Sequence, residues 1–285
     1  MIEINIAAWS DVGQQREVNE DRVYYQILQS SDFDPISMCI VADGMGGHFA
    51  GEVASHWTVE TLKRELADLF IPPDPRKTVQ LTGDDMRAIA QETNKEIRPS
   101  EVILMRRLRA AVESANTAVH KYALHRPQEA MGAGSTLTMV FVKGKRAFVI
   151  NVGDSRTYLL RQGRLTQLTE DHSVVAELVA AGHLAQEEAW EHPQAGLITR
   201  CLGYMGAVQV DIEPHALESG DRLVLCSDGL WEMVRDPELL THIIHTAPDL
   251  EAAVHRLIDA ANHAGGKDNI SVAMLSIAEK PDIPT

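Results

Sequence analysis

An α+β layered fold is what the order of elements along this chain predicts. Runs with strand character come in blocks, and so do runs with helix character, without the regular alternation of a doubly wound sheet. The 285 residues are 45% hydrophobic and 24% charged, which supplies apolar material for a large core in an ordinary globular chain. No internal repeat or low-complexity tract interrupts the pattern.

The opening reads as strands. Ile4 to Ser10 alternates apolar and polar residues, Arg22 to Leu28 is rich in aromatic and β-branched residues, and Met38 to Ala42 is an apolar run. A glycine-rich turn follows at Gly44-Met45-Gly46-Gly47, and from about Gly51 the spacing of Val53, Trp57, Leu62 and Leu66 becomes helical. Pro72, Pro73 and Pro75 stop that helix and Pro99 closes an irregular stretch, in which a short helix from Asp84 to Ile97 is expected. Ser100 offers an N-cap for a long amphipathic helix whose face carries Leu104, Leu108, Ala111, Ala115 and Val119.

After Gly132-Ala133-Gly134 come strands over Thr136 to Val142, Ala147 to Val152 and Thr157 to Leu160, then a Gln162-Gly163 turn into a short strand at Leu165. A short helix is expected at Val174 to Ala181, with strands at Val208 to Pro214 and Arg222 to Cys226. Helices near Pro237 to His245 and Asp249 to Ala264 lead to Gly265-Gly266 and a final strand, Ser271 to Ile277.

Charge and cysteine content narrow the function. With 41 acidic against 26 basic residues the net charge is -15, which suits nucleic acid poorly, because phosphates demand a basic footprint. Cys39, Cys201 and Cys226 cannot form a disulfide framework, so a reducing, cytoplasmic setting is expected. No apolar run approaches the ~18 residues of a membrane helix. The opening Met1-Ile2-Glu3-Ile4-Asn5 lacks the basic stretch of a secretory signal. No membrane partner and a monomer are expected.

Three apolar strands end in an aspartate beside a glycine: Asp43-Gly44, Gly153-Asp154 and Asp228-Gly229. Asp268 stands just before the last strand, and Glu20-Asp21 just before the second. Carboxylates at strand ends can converge on one edge of a sheet, where unpaired they would repel and shift one another's pKa. Hard divalent cations remove that cost and accept carboxylate and carbonyl oxygens. An Asp-Gly pair after a strand is also a hairpin signature. That reading is weak for Asp43 and Asp228, which precede helical segments, but for Asp154 the two readings stand level, since Tyr158-Leu159-Leu160 looks like a returning strand.

Other chemistries fail their tests. Gly46 to Glu52 has glutamate where a phosphate-binding loop needs lysine, and neither glycine pair carries the third glycine of a dinucleotide fingerprint. A cysteine-nucleophile phosphatase needs an arginine six positions after its cysteine, where Met45, Ala207 and Glu232 stand here.

These blocks together resemble the metal-dependent protein phosphatase 2C (PPM) family, of the compact bacterial serine/threonine type. The matching segments are Arg16-Glu17-Val18-Asn19-Glu20-Asp21, Val41-Ala42-Asp43-Gly44-Met45-Gly46-Gly47-His48, Gly134-Ser135-Thr136 and Asn151-Val152-Gly153-Asp154-Ser155-Arg156. Thr169-Glu170-Asp171-His172-Ser173, Thr199-Arg200-Cys201-Leu202-Gly203, Cys226-Ser227-Asp228-Gly229-Leu230-Trp231 and Lys267-Asp268-Asn269-Ile270-Ser271 complete the series, in the family's order and over nearly the whole chain.

The resemblance implies a four-layer α-β-β-α sandwich, two antiparallel sheets with helices on both outer faces. It implies one catalytic domain over residues 1–278, with an irregular insertion at 71–99, a flap at about 174–196 and a tail at 279–285. It also implies two to three Mn²⁺ or Mg²⁺ ions. Asp43 would bridge two metals, with the Gly44 carbonyl on one and Asp228 and Asp268 on the other. Asp21 would hold a metal-bound water, with help from Glu20, and Asp154 would join Asp228 at a third site. A water between the metals would attack phosphorus in line, with no covalent phosphoenzyme. Arg16 matches the phosphate-binding arginine and His48 is the candidate general acid. The implied partners are phosphorylated proteins, among them a bacterial-type Ser/Thr kinase. A catalytically silent regulatory relative and a two-metal hydrolase of a small phosphoester are the competing readings.

Overall fold

Two five-stranded sheets, antiparallel throughout, form the centre of the protein. The computed structural model describes residues 2–30, 32–46, 50–72, 81–92, 94, 96–128, 130 and 132–279. In chain order the strands are β1 (Ile2–Asp11), β2 (Arg22–Leu28), β3 (Ile36–Ala42), β4 (Gly44–Met45), β5 (Gly134–Ser135), β6 (Leu137–Lys143), β7 (Arg146–Val152), β8 (Arg156–Arg161), β9 (Arg164–Gln167), β10 (Asp211–Ala216), β11 (Arg222–Cys226) and β12 (Ile270–Glu279). The helices are α1 (Ala50–Leu66), α2 (Gly83–Gln91), α3 (Pro99–His125), α4 (Val174–Ala180), α5 (Gln186–Ala189), α6 (Asp228–Trp231), α7 (Pro237–Thr246) and α8 (Leu250–His263).

One sheet runs β1-β12-β11-β8-β9 and the other β10-β7-β6-β3-β2, with β4 and β5 as a small separate pair. The layers follow from side-chain alternation. In β3, Cys39 and Val41 enter the core between the sheets with Val140, Leu225 and Leu275, while Met38 and Ile40 face outward. Those outward residues pack against Val59, Leu62 and Leu66 of α1 and Leu108, Val112 and Ala115 of α3. On the far side Val272 and Met274 of β12 meet Leu240 of α7 and Val254, Leu257 and Ile258 of α8. Every residue of β3 is therefore buried, which is why its sequence is an unbroken apolar run. This is the α-β-β-α sandwich expected.

Several boundaries differ from the sequence reading, each for a local reason. Ser100 is not the cap of α3. Pro99 occupies the first helical turn, Arg98 takes the cap position, and the Glu101 carboxylate accepts the Arg98 N–H at 2.8 Å. The expected helix from Asp84 to Ile97 is shorter, ending at Gln91, and starts from a reciprocal Thr82–Asp85 capping box. Asp84 and Asp85 pair with Arg106 of α3, so this part of the 71–99 insertion is docked on the long helix. The strand expected from Val208 begins at Asp211, and Glu279, expected in the tail, closes β12. His48, much of the insertion and tail residues 280–285 lie outside the described residues.

Candidate active site

Antiparallel pairing brings the ends of several strands to one edge of the sandwich. Arg22 pairs with Ala42, Asp11 with Ile270, and Cys226 with both Val272 and Arg156. Asp21, Asp43, Asp154, Asp228 and Asp268 stand at those ends, so residues up to 247 positions apart (21 to 268) meet. Their charges act on one another: Asp43 is raised by burial and then by Asp21, Asp228, Asp154 and Asp268. The structure thus brings together all five aspartates named from the sequence.

The level readings of Asp154 are resolved by topology. The strands on either side of it, β7 and β8, do not pair as a hairpin but belong to different sheets. The Gly153-Asp154 turn is the crossing between them, with Gly153 at φ +109 against Thr136. Gly44 is required by a close backbone approach. A Cβ there would lie 2.1 Å from the Gly51 carbonyl oxygen and 2.6 Å from that of Glu20. The first turn of α1 is packed directly on the Asp43-Gly44 backbone.

Burial shifts the carboxylates of the cluster. Burial pushes Asp21 up to about 6, offset in part by the Ser227 hydroxyl, which donates to its Oδ2 at 2.8 Å. Burial, then the charge of Asp171, pushes Asp154 up to about 7. Burial and then Asp154 and Asp268 hold Asp228 well above the usual carboxylate range. Asp43 and Asp228 keep some surface at the residue level, yet enough protein surrounds their carboxylates to penalise the charged forms.

Among the described residues the Oδ1 atoms of Asp21 and Asp228 and Oε1 of Glu20 are buried with no hydrogen-bond partner. Unpaired acceptor oxygens in an all-oxygen set are what a hard divalent cation takes. Among the described residues no three acidic, imidazole or thiol side chains are placed to hold a metal ion by themselves. Glu20 is raised by burial, against the charge of Arg16 and the Gly51 and Glu52 amides, which places its carboxylate at the start of α1.

Arg16 Nη2 donates to Asp268 Oδ2 at 2.6 Å. The loop carrying Arg16 is held by Asn269, whose Nδ2 donates to the carbonyls of Val12 at 2.9 Å and Val18 at 3.0 Å, and whose Oδ1 accepts the Glu20 N–H at 2.8 Å.

Asn269 is one of several residues to which sequence reasoning assigned no role. Trp231 Nε1 donates to the Asp154 carbonyl at 3.0 Å, and its ring lies 3.7 Å beneath the Arg156 guanidinium, which forks onto Asp171. His172 Nδ1 accepts the Gly153 N–H at 3.0 Å, and Asp211 accepts from its Nε2 at 2.9 Å. Thr136 Oγ1 accepts the Asp43 N–H at 3.1 Å and bonds the Ser155 hydroxyl at 2.7 Å. All but Asp211 sit inside the matching sequence blocks, which was their only signal. Ser155, like Ser135, is a buried hydroxyl that hydrogen-bonds within the chain.

Residues 174–196 leave the sandwich between tied ends, since Ser173 bridges Ile198 and His172 accepts the Thr199 N–H at 2.7 Å. They cover a cavity of about 720 Å³ lined in part by Trp190, Trp231, Arg156 and Glu232. Trp190 rests on Trp231, ring centroids 5.7 Å apart.

The protein phosphatase 2C family model matches residues 13–269. The serine/threonine phosphatase stp of Listeria monocytogenes serotype 4b is 36% identical over 266 residues, covering 93% of each chain. The crystal structure of the Mycobacterium tuberculosis serine/threonine phosphatase PstP/Ppp superposes with TM-score 0.75 at 34% identity, over 98% of this chain and 100% of that one. A structure of the PstP catalytic domain in complex with two manganese ions gives TM-score 0.74 at 32% identity, over 98% and 100% of the two chains.

Proposed function

Because the chain belongs to the protein phosphatase 2C family, we propose that it is a metal-dependent serine/threonine protein phosphatase with its centre at the aspartate-lined edge of the sandwich. The single observation that carries the site assignment is the buried carboxylate cluster with unpaired oxygens. Asp43, the Gly44 carbonyl, Asp228 and Asp268 would hold two Mn²⁺ or Mg²⁺ ions, with Asp21 and Glu20 binding their waters and Asp154 joining Asp228 at a third site. Such ions supply a water of lowered pKa and neutralise charge on the phosphoryl oxygens.

The chain's own groups then bind and orient. The planar fork of Arg16 suits two phosphoryl oxygens at once. His48 is proposed to give a proton to the leaving serine or threonine oxygen. Ser227, Thr136, Trp231 and His172 hold the aspartate-bearing turns in place through the hydrogen bonds described. We read residues 1–278 as one catalytic domain, the 174–196 excursion as a flap beside the site, and the substrates as phosphorylated proteins, among them a Ser/Thr kinase.

Phosphate release from a phosphothreonine peptide, with and without Mn²⁺, tests this for the wild type and Asp228→Asn. Metal-dependent release that the substitution lowers by about a hundredfold or more is expected. No release by the wild type at any metal concentration would favour a silent regulatory relative, and faster turnover of a phosphodiester would favour a small-phosphoester hydrolase.

A further inference from the structure

The two oxygens of Asp268 are both engaged within the chain. Oδ1 accepts the Asn269 N–H at 2.8 Å and Oδ2 accepts from Arg16 at 2.6 Å. Asp21, Asp228 and Glu20 differ, since each keeps one buried oxygen without a partner among the described residues. Within one cluster, then, three carboxylates offer an oxygen outright, and Asp268 shares its Oδ2 with Arg16 until the arginine lets go.

The pair is built to open. Its side chains are 49% and 35% exposed, and Arg16 makes no other ion pair among the described residues. The backbone beneath it is fixed by Asn269 and by the Gln14 N–H on the Gly266 carbonyl at 2.8 Å. The guanidinium can therefore swing on its own stem while the loop stays in place. Asp268, Glu20 and Asp228 all act on it, so it stands where it neutralises the cluster's edge.

The geometry points to Arg16 as a placeholder for a divalent cation: it neutralises Asp268 until metal binds there, and is released toward phosphate when Asp268 turns to the ion. The inference rests on the metal reading of Asp268 given above. It orders the ligands. Metal occupancy frees the arginine, and the freed arginine takes the phosphoryl oxygens. Competition for one carboxylate is reciprocal, so removing Arg16 must strengthen metal binding even as it weakens phosphate binding. An arginine with a merely structural role would weaken both or neither.

The test is Mn²⁺ binding to the metal-depleted full chain, by calorimetry in phosphate-free buffer, for the wild type, Arg16→Gln and Lys267→Gln. Lys267 adjoins Asp268 in sequence but forms no ion pair among the described residues, so its loss removes a nearby charge without opening a pair. Arg16→Gln is expected to bind Mn²⁺ about two- to fivefold more tightly, the range for an exposed ion pair, with Lys267→Gln shifted less. Unchanged or weaker binding by Arg16→Gln would overturn the placeholder role, as would equal tightening by both variants, which marks net charge alone. Either result leaves the metal reading intact. Failure of the wild type and both variants to bind Mn²⁺ would remove that reading and the placeholder with it. Matching circular dichroism melts show that each variant is folded.

Discussion

Asp228 concentrates the conflict between stability and chemistry in this protein. Its carboxylate is held among other carboxylates, with burial and its neighbours opposing its charge. Asp228→Asn keeps the shape and removes the charge. Without metal at neutral pH the variant should melt above the wild type, by about 2–4 °C for each kcal/mol of repulsion relieved, while losing metal-dependent activity. Differential scanning calorimetry in chelator checks this, and a lower melting temperature for the variant would mean that Asp228 is favourably paired. Trp231 tests a supporting contact. Trp231→Phe keeps an aromatic face under Arg156 but loses the donor to the Asp154 carbonyl, so the urea midpoint should fall by the equivalent of about 1 kcal/mol. The sequence displayed Trp231 beside Asp228, but not that its indole reaches back 77 positions to Asp154.

At the scale of elements, the site depends on how closely α1 approaches the end of β3. Gly44→Ala would drive a methyl group into the Gly51 carbonyl, backbone against backbone, and neither element can yield without moving the Asp43 turn. A loss of 2 kcal/mol or more, on the order of core overpacking, is expected from chemical denaturation. Gly83, the first residue of α2, is the contrasting case. A Cβ there meets nothing within 4 Å, so Gly83→Ala should be neutral or stabilise by about 0.4–1 kcal/mol through the unfolded chain. Equal effects at the two positions would mean that α1 is not pressed on the site. Most elements were legible in sequence because their periodicity is local. The start of α3 was not, because Ser100 and Pro99 both signal a helix start and the fixed φ of proline won.

For the molecule as a whole, the carboxylate cluster predicts an unusual pH dependence. Burial raises Asp21 to about 6 and Asp154 to about 7, and it also holds Asp43 and Asp228 well above the usual carboxylate range. Between the unfolded pKa of ~3.9 and those values the folded chain holds protons that the unfolded chain has released. Stability contributed by these groups is therefore greatest at acid pH and declines as pH rises through 6 to 7. Glu101, lowered by Arg98 and Arg146 against its burial, acts oppositely, its contribution being lost as pH falls below the usual carboxylate range. Melting of the chelated protein should thus move down between pH 5 and pH 7.5, and Mn²⁺ should reverse the decline by replacing the protons. A chelated melt independent of pH across that window, or unmoved by Mn²⁺, would count against the buried cluster.

The sequence by itself determined the class of fold, the order of the strands and the positions of the carboxylates, because apolar runs, turn glycines and strand-end aspartates are written in neighbouring residues. It also carried the family's blocks, and with them the expectation of a metal-dependent phosphatase. Only the tertiary structure decided that the Asp154 turn crosses from one sheet to the other, that Gly44 is pressed by the first turn of α1, and that Arg16 closes on an aspartate 252 positions away. The physical reason is that local periodicity fixes which face a side chain presents. Which distant group meets it depends on how two separately twisted sheets stack, and no window of neighbouring residues contains that information.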